Sequence, residues 1–488
     1  MSLLASYFLP GLYVEDRSVE VPLDWRGTSP QELAGAGEPR SRLAAASAAE
    51  APDPAFAGRA VSLFYRVLCA PANKGRDLPL LVYLQGGPGG SCPRPTSAAS
   101  VSWMAEAVKR FRVVLPDQRG CGRSSRVEGR TMAALAAAAP ALGREPAELQ
   151  ASYLRRFLAD SIVRDVEYLR LAEFGGARWV TLGQSYGGFL TLAYLSAFPE
   201  GARASMTCGG VPAVPASAEV VYARTVPRMA AKSRLLYDRY PEDVARVALV
   251  AERLAAGDVT LPDGSPATVR RLQALGQDLG MKPGHERLHN LLDQAFAAGD
   301  GTAASALAAA GGQAERVALT GEFLQGLWSQ TSSLARPLYW TLQELIYADG
   351  ELERPIAWAA AREVARHPEL SPEARPLLFT GEAIFPWMFE EDPALRPFAG
   401  AMDKLMACTR FGRLYDETRL AANEVPLQAA VYVDDLYVDS GLQLDTLSRV
   451  GASHAWVTNE FEHDGLHTGR VLPRLLEELE ARGDLAGL

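Results

Sequence analysis

The sequence predicts an α/β fold: a mostly parallel sheet with helices on both faces and a large helical cap inserted after the sixth strand. Three observations predict it. Short, wholly apolar strand-formers alternate with stretches of helical spacing through the first 210 residues. Trp179 to Phe189 reads as strand, sharp turn and helix around Gly183-Gln184-Ser185-Tyr186-Gly187. From about 211 to 370 strands of this apolar kind vanish, and charged and Ala-rich helical patterns replace them.

Taken in order, residues 12–23 alternate loosely and read as an edge strand, while 27–54, rich in Ala, Gly, Ser and Pro, read as a long surface loop. Residues 61–69 make a second strand. A third, 79–84, breaks at Gln85-Gly86-Gly87-Pro88-Gly89-Gly90, and a fourth, 111–115, ends in Pro116-Asp117-Gln118-Arg119-Gly120. Residues 131–150 are Ala-rich and helical or loop-like, and 158–174 carry apolar residues at helical spacing. The fifth strand leads into Ser185, and the sixth, 203–208, closes on Gly209-Gly210. Residues 371–420 are ambiguous apart from a helical pattern over 392–413. Strand character returns at 427–433 and 455–458, and an amphipathic helix over 468–481 ends the chain. The expected division is a core over 1–210, a cap over 211–400 and the rest of the core over 401–488.

At 488 residues the chain exceeds one ordinary core, which is consistent with an insertion. A net charge of −9 excludes the basic footprint of a nucleic-acid binder. The five cysteines form no C-x-x-C pair and the six histidines no H-E-x-x-H, so no metal site is expected, and the serine chemistry read below needs no organic cofactor. No basic, apolar leader and no run of 18 apolar residues stands out, so no membrane association is expected and the cytoplasm is the expected location. No feature specifies an oligomeric state.

Ser185 occupies the nucleophile position of a G-x-S-x-G elbow, where glycines two residues either side let strand and helix cross closely. A serine hydroxyl needs a histidine to take its proton, and that histidine needs a carboxylate to fix its tautomer. On such a sheet both follow later strands, acid first. Residues 429–433 run into Asp434-Asp435; Asp435 is preferred, with Asp434 the alternative and Asp439 weaker. His463 follows the last strand and precedes the last helix. His454 stands before that strand, His467 suits a surface position, and His285, His289 and His367 fall in the insertion. The developing oxyanion would be held by the amide of Tyr186 and by that of Gly87, with Gly86 the alternative.

Together these motifs resemble the prolyl aminopeptidases (proline iminopeptidases) of peptidase family S33, on the α/β-hydrolase fold, and its longer members most. The resemblance is carried by Gln85 to Gly89, Asp117 to Ser124, Gly183 to Gly188, Gly381 to Phe389, Tyr432 to Val438 and Thr458 to Gly465. It departs at Gln85, where the family usually has His, and in the Ala-rich segments 33–60 and 295–312. The implied activity is release of N-terminal proline, or a similar small residue, from a peptide with a free amino terminus. Such an enzyme needs carboxylates for the substrate ammonium, and Glu344 and Glu382 stand among aromatic residues where a lone acid is costly. Tyr339, Phe385, Trp387 and Phe389 would wall a pyrrolidine pocket, whereas Asp117 and Arg119 are expected to hold the loop beneath the site. The rival expectations are an esterase, amidase or tripeptidyl-type peptidase, and a non-enzymatic binding protein on the same fold.

Overall fold

The computed structural model describes residues 2–486. Nine strands form one sheet in the spatial order β1-β2-β3-β5-β4-β6-β7-β8-β9. They are β1 (Ser2–Leu9), β2 (Leu12–Pro22), β3 (Ala60–Cys69), β4 (Leu80–Leu84), β5 (Arg112–Pro116), β6 (Trp179–Gln184), β7 (Ala202–Cys208), β8 (Leu427–Tyr432) and β9 (Ser453–Thr458). The first three strands and the β3–β5 pair are antiparallel; every other pair is parallel.

The inner parallel strands are apolar on both faces, and the pleat sorts them into two cores, while the edge strand β9 is half exposed. Leu80, Val82 and Leu84 of β4 face one core, with the helices Ala159–Glu173 and Tyr186–Ala197. Leu81 and Tyr83 face the other, with the helices Met104–Arg110 and Val471–Ala481. This is the mostly parallel, doubly covered sheet that the alternation of short apolar strands predicts.

Two expectations are corrected at the N-terminus. Residues 12–23 do not form the edge, because β1 lies outside β2 and pairs with it in an antiparallel ladder. Consequently the insertion follows the seventh strand and not the sixth. The stretch 27–54 is not a plain loop either. It contains the short helices Pro30–Leu33 and Arg42–Ala49, whose first turns are capped by Ser29 and Ser41 through hydrogen bonds from Glu32 N and Ala44 N.

The chain leaves the sheet after Cys208 and re-enters it at Leu427. Between them run helices, from Ala218–Arg239 to Glu417–Ala421, with only isolated β-bridges among the described residues. Residues 377–379 are buried without forming a strand. No helix among the described residues is long and apolar enough to cross a membrane.

Candidate active site

Ser185 sits between the last residue of β6 and the first of the helix Tyr186–Ala197, with φ 57° and ψ −129°. Positive φ is costly for a residue with a Cβ, so the surrounding contacts must hold it. They do so through its amide, which donates to Cys208 O at 3.0 Å, and its carbonyl, which accepts from Gly188 N at 2.7 Å. Crowding at the crossing is severe. A Cβ on Gly183 would meet the Gly187 carbonyl, and one on Gly187 would run into the carbonyl of Leu84. Gly187→Ala is therefore expected to lower the melting temperature markedly, as an overpacking cost of about 1–3 kcal/mol or more would; an unchanged melt would contradict the crowding. Ser185 itself is only partly buried, whereas Gln184 and Tyr186 on either side are buried.

The Gly-rich turn after β4 lies against the elbow: a Cβ on Gly86 would come within 3.0 Å of Ser185 Cβ. Gln85 braces this turn. Its Nε2 donates to Ser91 O at 2.8 Å, its Oε1 accepts from Gly86 N at 3.1 Å, and its carbonyl accepts from Gln118 Nε2 at 2.7 Å. The Gly86 amide is thus already given to Gln85, and Gly87 follows at φ 119°. The Tyr186 amide opens its helix, where the first amides have no intrahelical acceptor.

Asp435 and His463 are brought together from the ends of β8 and β9. His463 Nδ1 lies 2.8 Å from Asp435 Oδ2. The other oxygen of Asp435 accepts from Tyr437 N at 2.8 Å and Val438 N at 3.0 Å, and the side chain is fully buried. Asp434 is exposed. Gly209, at φ 53°, lies so close that a Cβ there would sit 3.0 Å from Asp435 Oδ2, while a Cβ on Gly210 would strike the backbone of Ser185. The glycine pair that closes β7 thus lets nucleophile and acid loops approach. His463 donates its backbone amide to Gly280 O at 3.1 Å, and its ring meets that of Tyr437 edge-on at 4.7 Å. Burial disfavours the imidazolium, but the Asp435 carboxylate outweighs it by charge and hydrogen bond, with Glu382 and Asp464 adding to it, and raises the His463 pKa above 6.5.

The two glutamates part company. Glu344 is fully buried, and its oxygens accept from Ala359 N at 2.9 Å and Ala360 N at 2.8 Å, at the start of the helix Ala359–Val364. Burial pushes its pKa up to about 7 against the pull of those amides. The expectation that Glu344 meets a substrate is thereby corrected: its acceptors are engaged in capping a helix. Glu382 is only partly buried, receives the Tyr339 hydroxyl, and interacts electrostatically with His463 and Asp435. Burial raises its pKa, opposed by the Tyr339 hydrogen bond and the His463 charge. Phe385 and Trp387 stack at 5.9 Å a few residues along the chain from Glu382.

Sequence reasoning missed Gln277, whose Nε2 donates to the Tyr339 hydroxyl at 2.7 Å, and Tyr437 as the ring against His463. Tyr437 stands in the Tyr432 to Val438 motif; Gln277, in the insertion, carries no local signal. Asp117 and Arg119 hold loops as expected. Asp117 accepts from Cys92 N and Arg123 N, and Arg119 pairs with buried Asp165, its Nε 2.7 Å from Oδ2. His289 pairs with Asp243, and His367 lies between Glu363 and Glu369. Larger clefts lie elsewhere: one of about 690 Å³ is lined by Val214 and Arg449, and one of about 580 Å³ by Arg112 and Arg178.

Residues 79–294 match the alpha/beta hydrolase fold family. A proline iminopeptidase of Aeromonas sobria is 36% identical over 479 residues, covering 98% of this chain and 99% of the relative. The proline iminopeptidase aneH of Aspergillus aculeatus is 32% identical, covering 87% and 90%. Among solved structures, a proline iminopeptidase of Mycobacterium smegmatis aligns over 88% of this chain and 97% of its own, at 15% identity and a TM-score of 0.39.

Proposed function

We propose, from the premise that this chain belongs to the proline iminopeptidase family, that it is a serine aminopeptidase whose catalytic residues are Ser185, His463 and Asp435. It releases N-terminal proline from peptides. Ser185 Oγ attacks the carbonyl of the first residue while His463 takes its proton; Asp435 holds Nδ1 protonated so that Nε2 is the basic nitrogen. The amides of Gly87 and Tyr186 hold the oxyanion, and His463 returns the proton to the leaving amine. Water then attacks the acyl-enzyme by the same route. The single observation that carries this reading is the 2.8 Å pairing of His463 with a fully buried Asp435, on loops that Gly209 and Gly210 let close on the Ser185 elbow.

Glu382 is the proposed partner of the substrate ammonium, with Phe385 and Trp387 walling the pocket for the first residue. Removing one partner of such a charged hydrogen-bonded pair costs about 2–5 kcal/mol. Glu382→Gln should therefore lower kcat/KM on prolyl-arylamide roughly 30- to several thousand-fold and leave a simple ester within about threefold. Equal losses on both substrates would count against the amino anchor and favour the esterase reading. A panel of prolyl-, hydroxyprolyl- and alanyl-arylamides, run beside Ser185→Ala, measures the specificity directly; a flat profile would sink the proline preference while leaving the hydrolase.

The pH dependence has a defined sign. Catalysis needs neutral His463, whose pKa is raised, so kcat/KM on an ester should climb with pH through a midpoint above 6.5. Glu382 is one of the charges retaining that proton, so Glu382→Gln should move the midpoint down. A midpoint that stays put or rises would show that Glu382 does not act on His463.

The same reading makes residues 211–400 a cap that closes the site to longer N-terminal extensions, flanked by core segments 1–210 and 401–488. Five unpaired cysteines, four of them buried, support a reducing compartment such as the cytoplasm.

A further inference from the structure

The helix Ala218–Arg239, the first of the insertion, touches both loops that carry the acid and the base. Lys232 Nζ lies 2.6 Å from Glu462 Oε1, and Glu462 immediately precedes His463. One turn earlier on the same face, Arg228 donates to Asp435 O at 2.5 Å and pairs with Asp439 Oδ2 at 2.8 Å. Asp439 in turn caps the helix Ser440–Leu447, accepting from Leu442 N at 2.9 Å.

The Lys232–Glu462 pair is buried, with side chains 6% and 11% exposed. Among the described residues, Glu462 is the one carboxylate within salt-bridge distance of Lys232. Its second oxygen, Oε2, is buried without a hydrogen-bond partner, and burial raises its pKa against the pull of Lys232. Of the other titratable groups nearby, the charge of Asp435 also raises the Glu462 pKa, Lys282, which bonds Glu460 O, lowers it, and His285, on the insertion, is held below its ordinary pKa by burial. A buried ion pair of this kind is a poor source of stability, since an apolar pair of similar size does as well or better. What it supplies is a fixed geometry.

We propose that Lys232 is a positioning residue for catalysis: by clamping Glu462 it sets where His463 stands between Asp435 and Ser185, with Arg228 fixing the acid loop from the same helix. This rests on the triad reading above. Docking of the insertion on the core therefore aligns the base as well as covering the site.

Lys232→Met should lower kcat on both prolyl-arylamide and ester by on the order of 10²-fold, the effect of a misplacement of about 1 Å, with KM within about twofold. Lys232→Arg should largely restore it. The double variant Lys232→Met/Glu462→Gln, which leaves no unpaired buried charge, should recover the melting temperature but not kcat. Recovery of both, or wild-type kcat in Lys232→Met, overturns the proposal. A readout independent of turnover is the proton NMR signal of the hydrogen bond between His463 and Asp435. It should be displaced or broadened in Lys232→Met and in the double variant, and unchanged in Lys232→Arg. An undisturbed signal in Lys232→Met overturns the clamp even if the wild type proves to turn over neither substrate, an outcome that would separately refute the triad reading.

Discussion

Ser185→Ala should lower kcat by a factor on the order of 10⁵–10⁶, leaving the residual acceleration that binding and the oxyanion donors supply alone. The substitution removes one oxygen and little else. The backbone at φ 57° is held by Ser185 N to Cys208 O and by Gly188 N to Ser185 O, and alanine keeps both bonds and the same Cβ. The melting temperature should therefore stay within a few degrees of wild type. Because nucleophile and base act as a unit, His463→Ala should cost about as much, and the double variant hardly more than either single one. Covalent labelling by an organophosphonate should occur in the wild type and disappear in both. Activity of Ser185→Ala above about 1% of wild type would mean that another group attacks the substrate.

Asp435→Asn carries the second largest expected loss, about 10⁴-fold in kcat, and the hydrogen bonds dictate why. Oδ1 of Asp435 accepts two backbone amides, from Tyr437 and Val438, so the oxygen of asparagine must occupy that place. Its NH₂ then faces His463 Nδ1, where Oδ2 now lies 2.8 Å away. An amide donor there requires an unprotonated Nδ1, which puts the ring proton on Nε2, the atom that should accept the proton of Ser185. The side chain keeps its shape and the wrong tautomer is locked in. Losing a carboxylate that raises the His463 pKa should also pull the alkaline-going limb of the pH profile downward. Asp434→Asn, at an exposed position, is the control and should leave kcat within about twofold. Loss of activity in Asp434→Asn but not in Asp435→Asn would reassign the acid.

Much of this was legible in the sequence because the relevant physics is local. The inner parallel strands are buried on both faces and read as apolar runs, and Ser185 and Asp435 stand in the break just after one, while His463 follows β9, a half-exposed edge strand marked by its place before the last helix. Ser185, Asp435 and His463 could thus be picked out by position before any contact was known. β1 was not legible for the opposite reason: it is largely exposed on both faces, with Leu3, Leu4 and Phe8 open to solvent, so no alternation marks it. The short helices at 30–33 and 42–49 were hidden by an Ala- and Gly-rich composition, although Ser29 followed by Glu32 is a capping signal. Glu344 and Glu382 looked alike because both stand among aromatics. Only the tertiary arrangement gives the first two backbone amides and sets the second beside His463 and Tyr339. Gln277 and Lys232 lie far along the chain from their partners, and no local pattern reports such a pairing.

The long excursion between β7 and β8 has a consequence for the order in which the protein is made. β7 and β8 are neighbours in the sheet, yet the whole helical insertion is synthesised between them. Synthesis runs from the N-terminus and closing a long loop costs entropy, so the elbow can form well before the strands that present Asp435 and His463 exist. A nascent or C-terminally clipped chain ending before β8 therefore displays a serine with nothing to activate it. With the proposed triad, peptidase activity arises only when the last two strands and the final helix dock.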